Sequence, residues 1–367
     1  MLTRSAGNIA PSLWKTPEKI TDTKLTSPGP DVTRTCWVLE EKENLMKAIV
    51  YTEYGSPDVL QLKEVAKPTP KDNELLIRIK ATTVSSVDSI FRQGSSVSAR
   101  FFTGLQRPKR AVLGTTLAGE IEAVGQDVTL FKVGDEVFGA TADFGAHAEY
   151  ICLPEDGALA LKPASLTHEE AVATNGVLTA LPFLRDHGQM KSGHKILIIG
   201  ASGSVGSYAV QLAKQFGAEV TGVSSTAKIG FVKSLGADRV IDYQTEDFTK
   251  RDDTYDIIFD AAGKSSFGRC RHLLKANGVY LSTVLSPGII LAMLWTSLAG
   301  SKKAKIAFAG LRPAPDKAMD LHFLTELIEA GQLKALVDRT FPITQTAAAH
   351  RYVETGLSQG SVVITVA

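Results

Sequence analysis

Cysteine is scarce in this chain. Cys36, Cys152 and Cys270 are scattered through 367 residues with no C-x-x-C pair among them, which argues against a disulfide framework and a cysteine-built structural zinc site. A reducing compartment fits that usage, and a cytoplasmic setting is expected. Net charge is almost absent as well, at +1, so the overall balance gives no reason to expect nucleic acid or an anionic membrane as the main partner. The basic runs Arg107-Pro108-Lys109-Arg110 and Lys302-Lys303-Ala304-Lys305 are short and read as solvated surface. Long apolar runs are missing too. Ile289 to Ala299 is about half the length of a membrane span and suits a pocket wall, a dimer contact or a core helix. Met1 to Leu45 lacks any sustained period and reads as a disordered extension. Met46 begins the first strand pattern, so the folded protein could start there. The first 17 residues carry Arg4 and Lys15 without an acid, a thin basis for a targeting segment.

What is present is an ordinary globular composition, 44% apolar and 22% charged, long enough for two cores. Its organising stretch is Lys195 to Ser225. Ile196 to Ile199 form an unbroken apolar run of the kind a strand buried on both faces needs. The run ends in Gly200-Ala201-Ser202-Gly203-Ser204-Val205-Gly206. A helix follows, with Val205, Ala209, Leu212, Ala213 and Phe216 at helical spacing, and Gly217 supplies a left-handed stop before the strand Glu219 to Val223. In such a βαβ unit the helix N-terminus offers unpaired N–H groups, and glycines admit a pyrophosphate close to the backbone. The usual pattern is G-x-G-x-x-G. Here its first position is Ala201, with Gly203 and Gly206 in register, between a strand and a helix as the motif requires. The structural alternative is that these glycines only permit tight strand-to-helix packing.

Before this unit the signals are short strands and turns: Met46 to Tyr51, Leu75 to Ala81, Leu117 to Gly125 with an interior glycine that suggests a bulge, and Val133 to Gly139. They predict a barrel-like β domain over about 46–167. Thr167 can cap a helix running to Leu184, with Glu169 and Glu170 in its first turn. Strands at Val240 to Tyr243, Asp256 to Asp260, Val279 to Thr283 and Lys305 to Ala309 bring the alternation to six strands. They predict a doubly wound parallel sheet over 168–310. After a helix at Asp316 to Gly331, short strands at Val337-Asp338, Phe341 to Ile343 and Val362 to Val366 have no place in that sheet. Residues 311–367 are therefore expected to return to the β domain.

On Met46 to Ile49, Leu113-Gly114, Ala118 to Ile121, Val133 to Val137, Gly200 to Gly206, Leu235 to Asp238, Val240 to Tyr243 and Gly360 to Ile364, the chain resembles the medium-chain dehydrogenase/reductase superfamily. Within it the likeness is to the zinc-independent, quinone oxidoreductase-like branch. The resemblance covers roughly 46–367 and implies a groES-like β domain joined to a Rossmann domain. At the metal positions of the zinc-dependent relatives the sequence departs: Val84-Ser85-Ser86-Val87-Asp88 replaces the first cysteine, Gly114-Thr115-Thr116 replaces Gly-His-Glu, and the four-cysteine cluster is missing. Zinc wants sulfur and imidazole ligands, so no metal is expected. His147 and His168 are isolated and read as packing or surface residues.

Val223-Ser224-Ser225-Thr226-Ala227-Lys228 ends the second strand without the acid that usually receives ribose hydroxyls in an NAD site. NADPH is the expected cofactor. By resemblance Ser225 and Lys228 would hold the 2′-phosphate, with Tyr243 nearby; Thr179, Gly263, Leu281 and Ser282 are further cofactor-side residues. Ser85 and Asp88 occupy the family's stretch beside the nicotinamide, although many relatives carry asparagine at the position of Ser85 and Asp88 could equally orient backbone. The implied activity is zinc-free hydride transfer to a small quinone or α,β-unsaturated carbonyl. The alternatives are a zinc-independent alcohol dehydrogenase or carbonyl reductase, and a non-catalytic NADPH-binding sensor or interaction protein. The resemblance also raises the prospect of a homodimer.

Overall fold

The computed structural model describes residues 44–95, 100 and 103–366. The readings of 1–45 as a disordered extension or targeting segment fall outside them, apart from the last two positions. Leu45 itself opens the first strand. β1 (Leu45–Val50) pairs with β2 (Gln61–Ala66) as an antiparallel ribbon. β3 (Glu74–Val84) leads through Ser85 into α1 (Ser86–Gln93), followed by β4 (Thr116–Val124), β5 (Glu136–Ala140), β6 (Tyr150–Pro154) and β7 (Ala158–Leu161). Leu75, Ile77 and Ile79 alternate into one core, while Arg78 between the latter two is exposed. The glycine expected to mark a bulge does so. The β3–β4 register slips between Leu76 and Ile77 and again between Ile79 and Ala81, and a Cβ on Gly119 would lie 2.2 Å from the Arg78 carbonyl oxygen.

Thr167 caps α2 (His168–Ala173) through a reciprocal bond pair with Glu170. The single helix expected as far as Leu184 is broken by a tighter turn at Thr174–Gly176 before α3 (Val177–Pro182). A Cβ on Gly176 would stand 2.3 Å from the carbonyl oxygen of Ser204. Close approach to the next helix fixes that break, and helical periodicity does not report it.

The alternating part follows as β8 (Lys195–Ile199), α4 (Ser204–Gln215), β9 (Glu219–Ser224), α5 (Ile229–Ser234), β10 (Arg239–Asp242), β11 (Tyr255–Asp260), α6 (Phe267–Cys270), β12 (Leu274–Ser282), α7 (Pro287–Leu298) and β13 (Lys303–Ile306). Its six strands are all parallel, in the order β10-β9-β8-β11-β12-β13. The last strand lies slightly N-terminal of its expected place, at the sheet edge. Ile196 and Ile198 of β8 join one core with Ala209 and Leu212 of α4, whereas Leu197 and Ile199 join another with Phe267 and Ile289. Burial on both faces is what the unbroken apolar run required. The chain winds outward from β8 to β10, then returns to β11 on the other side of β8. That reversal opens a crevice at the carboxyl ends of β8 and β11.

α8 (Ala314–Glu329), β14 (Val337–Pro342), α9 (Thr346–Glu354) and β15 (Ser361–Thr365) close the chain. β15 pairs antiparallel with β3, and β14 parallel with β15, giving the sheet β14-β15-β3-β4-β5-β7 with β6 also on β3. The C-terminal strands thus belong to the first sheet, as their lack of a place in the parallel one implied. α7 is not a core helix: only Ile289 and Thr296 are buried along it.

Candidate cofactor site

β8 ends at Ile199, and Gly200 turns the chain with φ +80°, a conformation that favours glycine. Gly203 is the N-cap of α4 in extended geometry, and no side chain caps the helix. The first N–H groups of α4 have no acceptor within the helix and point out of its N-terminus, where the helix dipole is positive. The three glycines do different work. A Cβ on Gly206 would lie 2.1 Å from the Gly200 carbonyl oxygen and one on Gly200 2.6 Å from Ala262 Cβ, so both serve packing. A Cβ on Gly203 would meet only the Gly200 oxygen, at 3.6 Å. Neither its backbone angles nor its protein neighbours demand glycine there. A glycine at this place in a strand-turn-helix unit leaves the backbone open to close approach by a phosphate. Ala201 and Ser202 are buried between, while Ser204 and Val205 are half-buried.

At the end of β9, Ser225 is half-buried and accepts from the Lys228 N–H at 2.9 Å. Tyr243 follows β10, donates its N–H to the Ser224 carbonyl at 3.1 Å and leaves its ring 57% exposed. Lys228 closes the short turn that follows Ser225. It is buried, and its Nζ donates at 2.9 Å to both Gly356 and Ser358 carbonyl oxygens; burial holds its pKa below the usual lysine value. The same C-terminal turn meets the glycine turn: the Gly360 N–H donates to the Ser202 carbonyl at 3.2 Å, and Ser204 and Ser361 share a hydroxyl bond at 3.1 Å. Carboxylates also enter this neighbourhood: Asp338 acts on the Lys228 ammonium through its charge. Asp242, at the end of β10, accepts from the Thr226 hydroxyl and, at 3.0 Å, from the Gln244 N–H. Neither Asp242 nor the 356–361 turn carries a local signal of a site role, because each reaches Ser225 or Gly203 through strand pairing or a distant loop.

Asp260 closes β11 fully buried. It accepts from the N–H groups of Ala262 (3.3 Å), Lys264 (3.1 Å) and Ser265 (2.8 Å) and from the Tyr280 hydroxyl (2.9 Å), which fixes the loop around Gly263. Gly263 has φ +63° and no room for a Cβ, which would stand 2.4 Å from Val284. Leu281 and Ser282 lie beside Phe259 and Asp260 at the end of β12. Gly263, Leu281 and Ser282 therefore share the carboxyl edge with the glycine turn, because Asp260 pairs with Ile199. Thr179 sits half-buried on α3.

Ser85 and Asp88 stand at the β3–α1 junction and satisfy each other. Asp88 Oδ2 accepts from the Ser85 N–H (2.8 Å) and hydroxyl (2.7 Å), and Oδ1 from the Gly114 N–H (3.2 Å). That is a capping box tied to a loop, so the geometry favours Asp88 as an organiser of backbone. β15 connects this junction to the glycine turn: Val362 pairs with Val84, and Gly360 bridges Gly203. At the positions where a metal would need His and Glu, Thr116 bonds to Thr83 at 2.7 Å, hydroxyl to hydroxyl. His168 lies 3.3 Å from Glu136. His147 is buried with Nε2 3.1 Å from the Thr83 carbonyl, its ring edge-on to His350 at 5.9 Å.

His350 has both ring nitrogens buried without a partner. Burial, reinforced by His147 and Arg92, pushes its pKa down to about 2. The folded state therefore holds the ring neutral, while the unfolded chain takes up a proton below about 6.5. Stability from this group is complete above pH 6.5 and falls as pH drops, by about 2 kcal/mol at pH 5. Urea midpoints measured from pH 7 to 4.5 should fall, and in His350→Leu the slope should be shallower by about one proton's worth.

Comparison with known proteins agrees with this architecture. An alcohol dehydrogenase GroES-like domain model matches residues 71–163, and a zinc-binding dehydrogenase model matches 235–364. The 2-methylene-furan-3-one reductase of Solanum lycopersicum is 35% identical over 87% of this chain and 79% of its own length. An NADPH-dependent alkenal/one oxidoreductase of Arabidopsis thaliana, chloroplastic, is 32% identical over 87% and 79%. The crystal structure of Escherichia coli quinone oxidoreductase complexed with NADPH superposes with a TM-score of 0.76 at 26% identity, covering 87% of this chain and 99% of that one. A GroES-like sheet joined to a Rossmann sheet, with an open glycine turn at the switch point, defines a nicotinamide-dependent dehydrogenase or reductase. The chain belongs to the medium-chain dehydrogenase/reductase superfamily, in its quinone oxidoreductase-like branch.

Proposed function

We propose that the chain is an NADPH-dependent reductase that passes hydride to a quinone or an α,β-unsaturated carbonyl without zinc. The observation that carries this is Gly203: an uncapped helix N-terminus at the sheet's switch point, with the one glycine of the turn whose missing side chain the fold does not need. The residues present fit a dinucleotide. The α4 N-terminus and Gly203 would take the pyrophosphate; Ser225, Tyr243 and the Lys228 ammonium would favour a 2′-phosphate; Gly263, Leu281, Ser282 and Thr179 would border the rest. When bound, a reduced nicotinamide supplies the hydride. The protein's part is to orient the acceptor and answer the charge that develops on it. In Val84-Ser85-Ser86 and Gly114-Thr115-Thr116 the Ser85 and Thr116 hydroxyls are bonded to Asp88 and Thr83, which leaves Ser86, Thr115 and backbone, with no thiolate or imidazole in either run, and such donors suit an acceptor that spreads its charge over a conjugated system. The same reading divides the chain into 46–167 with 311–367 and 168–310, and places it in a reducing, cytoplasmic setting.

The test is oxidation of NADPH and NADH, side by side, with an ortho-quinone, an enone and a simple ketone in the presence of a chelator. Chelator-resistant turnover of the quinone or enone with NADPH is expected. Binding without turnover would point to a sensor, and ketone reduction abolished by chelator would point to a metal enzyme.

A further inference from the structure

The chain's near-neutral balance conceals a sharp segregation of charge. From Ala261 to Pro315 there are eight Lys and Arg residues and no Asp or Glu, so the net +1 divides into +8 here and −7 over the rest. α7 lies inside this acid-free stretch. It buries only Ile289 and Thr296, two helical turns apart, with Ala292 and Met293 half-buried against the same core. Leu291, Leu294, Trp295 and Leu298 face outward with 66%, 59%, 45% and 88% of their surface exposed, and Val284 and Leu285 extend the apolar surface toward the carboxyl edge of the sheet.

The basic groups edge this surface. The Arg271 guanidinium lies 4.5 Å over the Trp295 ring, Lys302 Nζ donates to the Arg271 carbonyl at 2.9 Å, and Lys303 Nζ donates to the Thr296 carbonyl at 2.5 Å. Among the described residues no carboxylate pairs with Arg271, Lys302 or Lys303, whereas Arg269 is paired with Asp247 and Lys275 with Asp256. Apolar side chains, a tryptophan and unpaired cations on one face ask for a surface that is hydrocarbon inside and anionic outside. A second copy related by a two-fold axis would set this cationic edge against itself. An anionic bilayer offers the complementary charge along with the apolar phase. At twelve residues, about 18 Å, α7 can lie in the interface but not cross it, and among the described residues no helix is long and apolar enough to span.

We propose that α7 docks the protein on a bilayer containing anionic lipid, with Leu291, Leu294 and Leu298 in the acyl boundary and Arg271, Lys302 and Lys303 at the headgroups. The test is flotation of the full chain with phosphatidylcholine vesicles, with and without phosphatidylglycerol. Binding is expected only with phosphatidylglycerol, weakening as salt rises, and with a blue shift of tryptophan fluorescence that is lost in Trp295→Phe. Leu291→Ser with Leu298→Ser should weaken binding at least tenfold. Arg271→Gln with Lys302→Gln should weaken it without moving the melting temperature, which separates lost contact from lost fold. No flotation on the anionic vesicles, or flotation unchanged by the leucine substitutions, overturns the proposal. So does a lipid-free oligomer, seen by light scattering, that those same substitutions convert to monomer, because a second copy would then be the occupant.

Discussion

Gly203→Asp is expected to weaken NADPH binding by at least about 100-fold, some 2.7 kcal/mol, while the protein folds as well as before. Gly203 has φ −78° and ψ 172°, angles open to any residue, and a Cβ there meets no protein atom closer than 3.6 Å. Asp is a better N-cap than Gly by a few tenths of a kcal/mol, so the melting temperature should hold or rise slightly. The carboxylate would occupy the anion position at the α4 N-terminus and repel a pyrophosphate. Titration calorimetry with NADPH beside a thermal melt reads both effects. Gly206→Ala is the contrast: its Cβ would press within 2.1 Å of the Gly200 oxygen, so it should lose stability as well as binding. Unchanged affinity in Gly203→Asp would reduce the glycine turn to a packing device.

Lys228→Met should have two separable effects. The buried ammonium donates to Gly356 and Ser358 carbonyls, and leaving those acceptors without a partner costs about 1–3 kcal/mol, read as a lower urea midpoint. A cation is also removed from the turn that holds Ser225, beside Tyr243. If a 2′-phosphate rests there, KM for NADPH should rise about tenfold or more, roughly one charge-assisted hydrogen bond, while KM for NADH changes little. An equal rise for both cofactors would mean that Lys228 acts only through the C-terminal turn. Asp242 makes this discrimination worth measuring, since its carboxylate stands next to Thr226 and could serve ribose hydroxyls instead.

Much of this architecture was legible in the residues. The run Ile196 to Ile199 announced a strand buried on both faces, the interior Gly119 announced a bulge, and Val362 to Val366, with no place among parallel strands, pointed back to the first sheet. These features are local or periodic, and period and turn chemistry report them. What escaped depended on contacts between distant residues. The helix from Thr167 breaks because Gly176 approaches Ser204; Lys228 is buried by a turn 130 residues further along; Asp260 is an unremarkable acid until four donors converge on it. Asp88 looked equally like a substrate contact and a backbone organiser, and its bonds to Ser85 and Gly114 favour the second. The apolar stretch from Ile289 was compatible with a core helix, and only its exposure shows otherwise.

The most direct measurement of the proposed activity uses NADPH deuterated at the transferable position of its nicotinamide ring, with an enone as acceptor. Delivery of hydride to a conjugated system predicts deuterium at the carbon β to the carbonyl, in a saturated ketone, one per NADPH oxidised. Deuterium at the carbonyl carbon of an alcohol, or NADPH oxidised with none in the product, would contradict it.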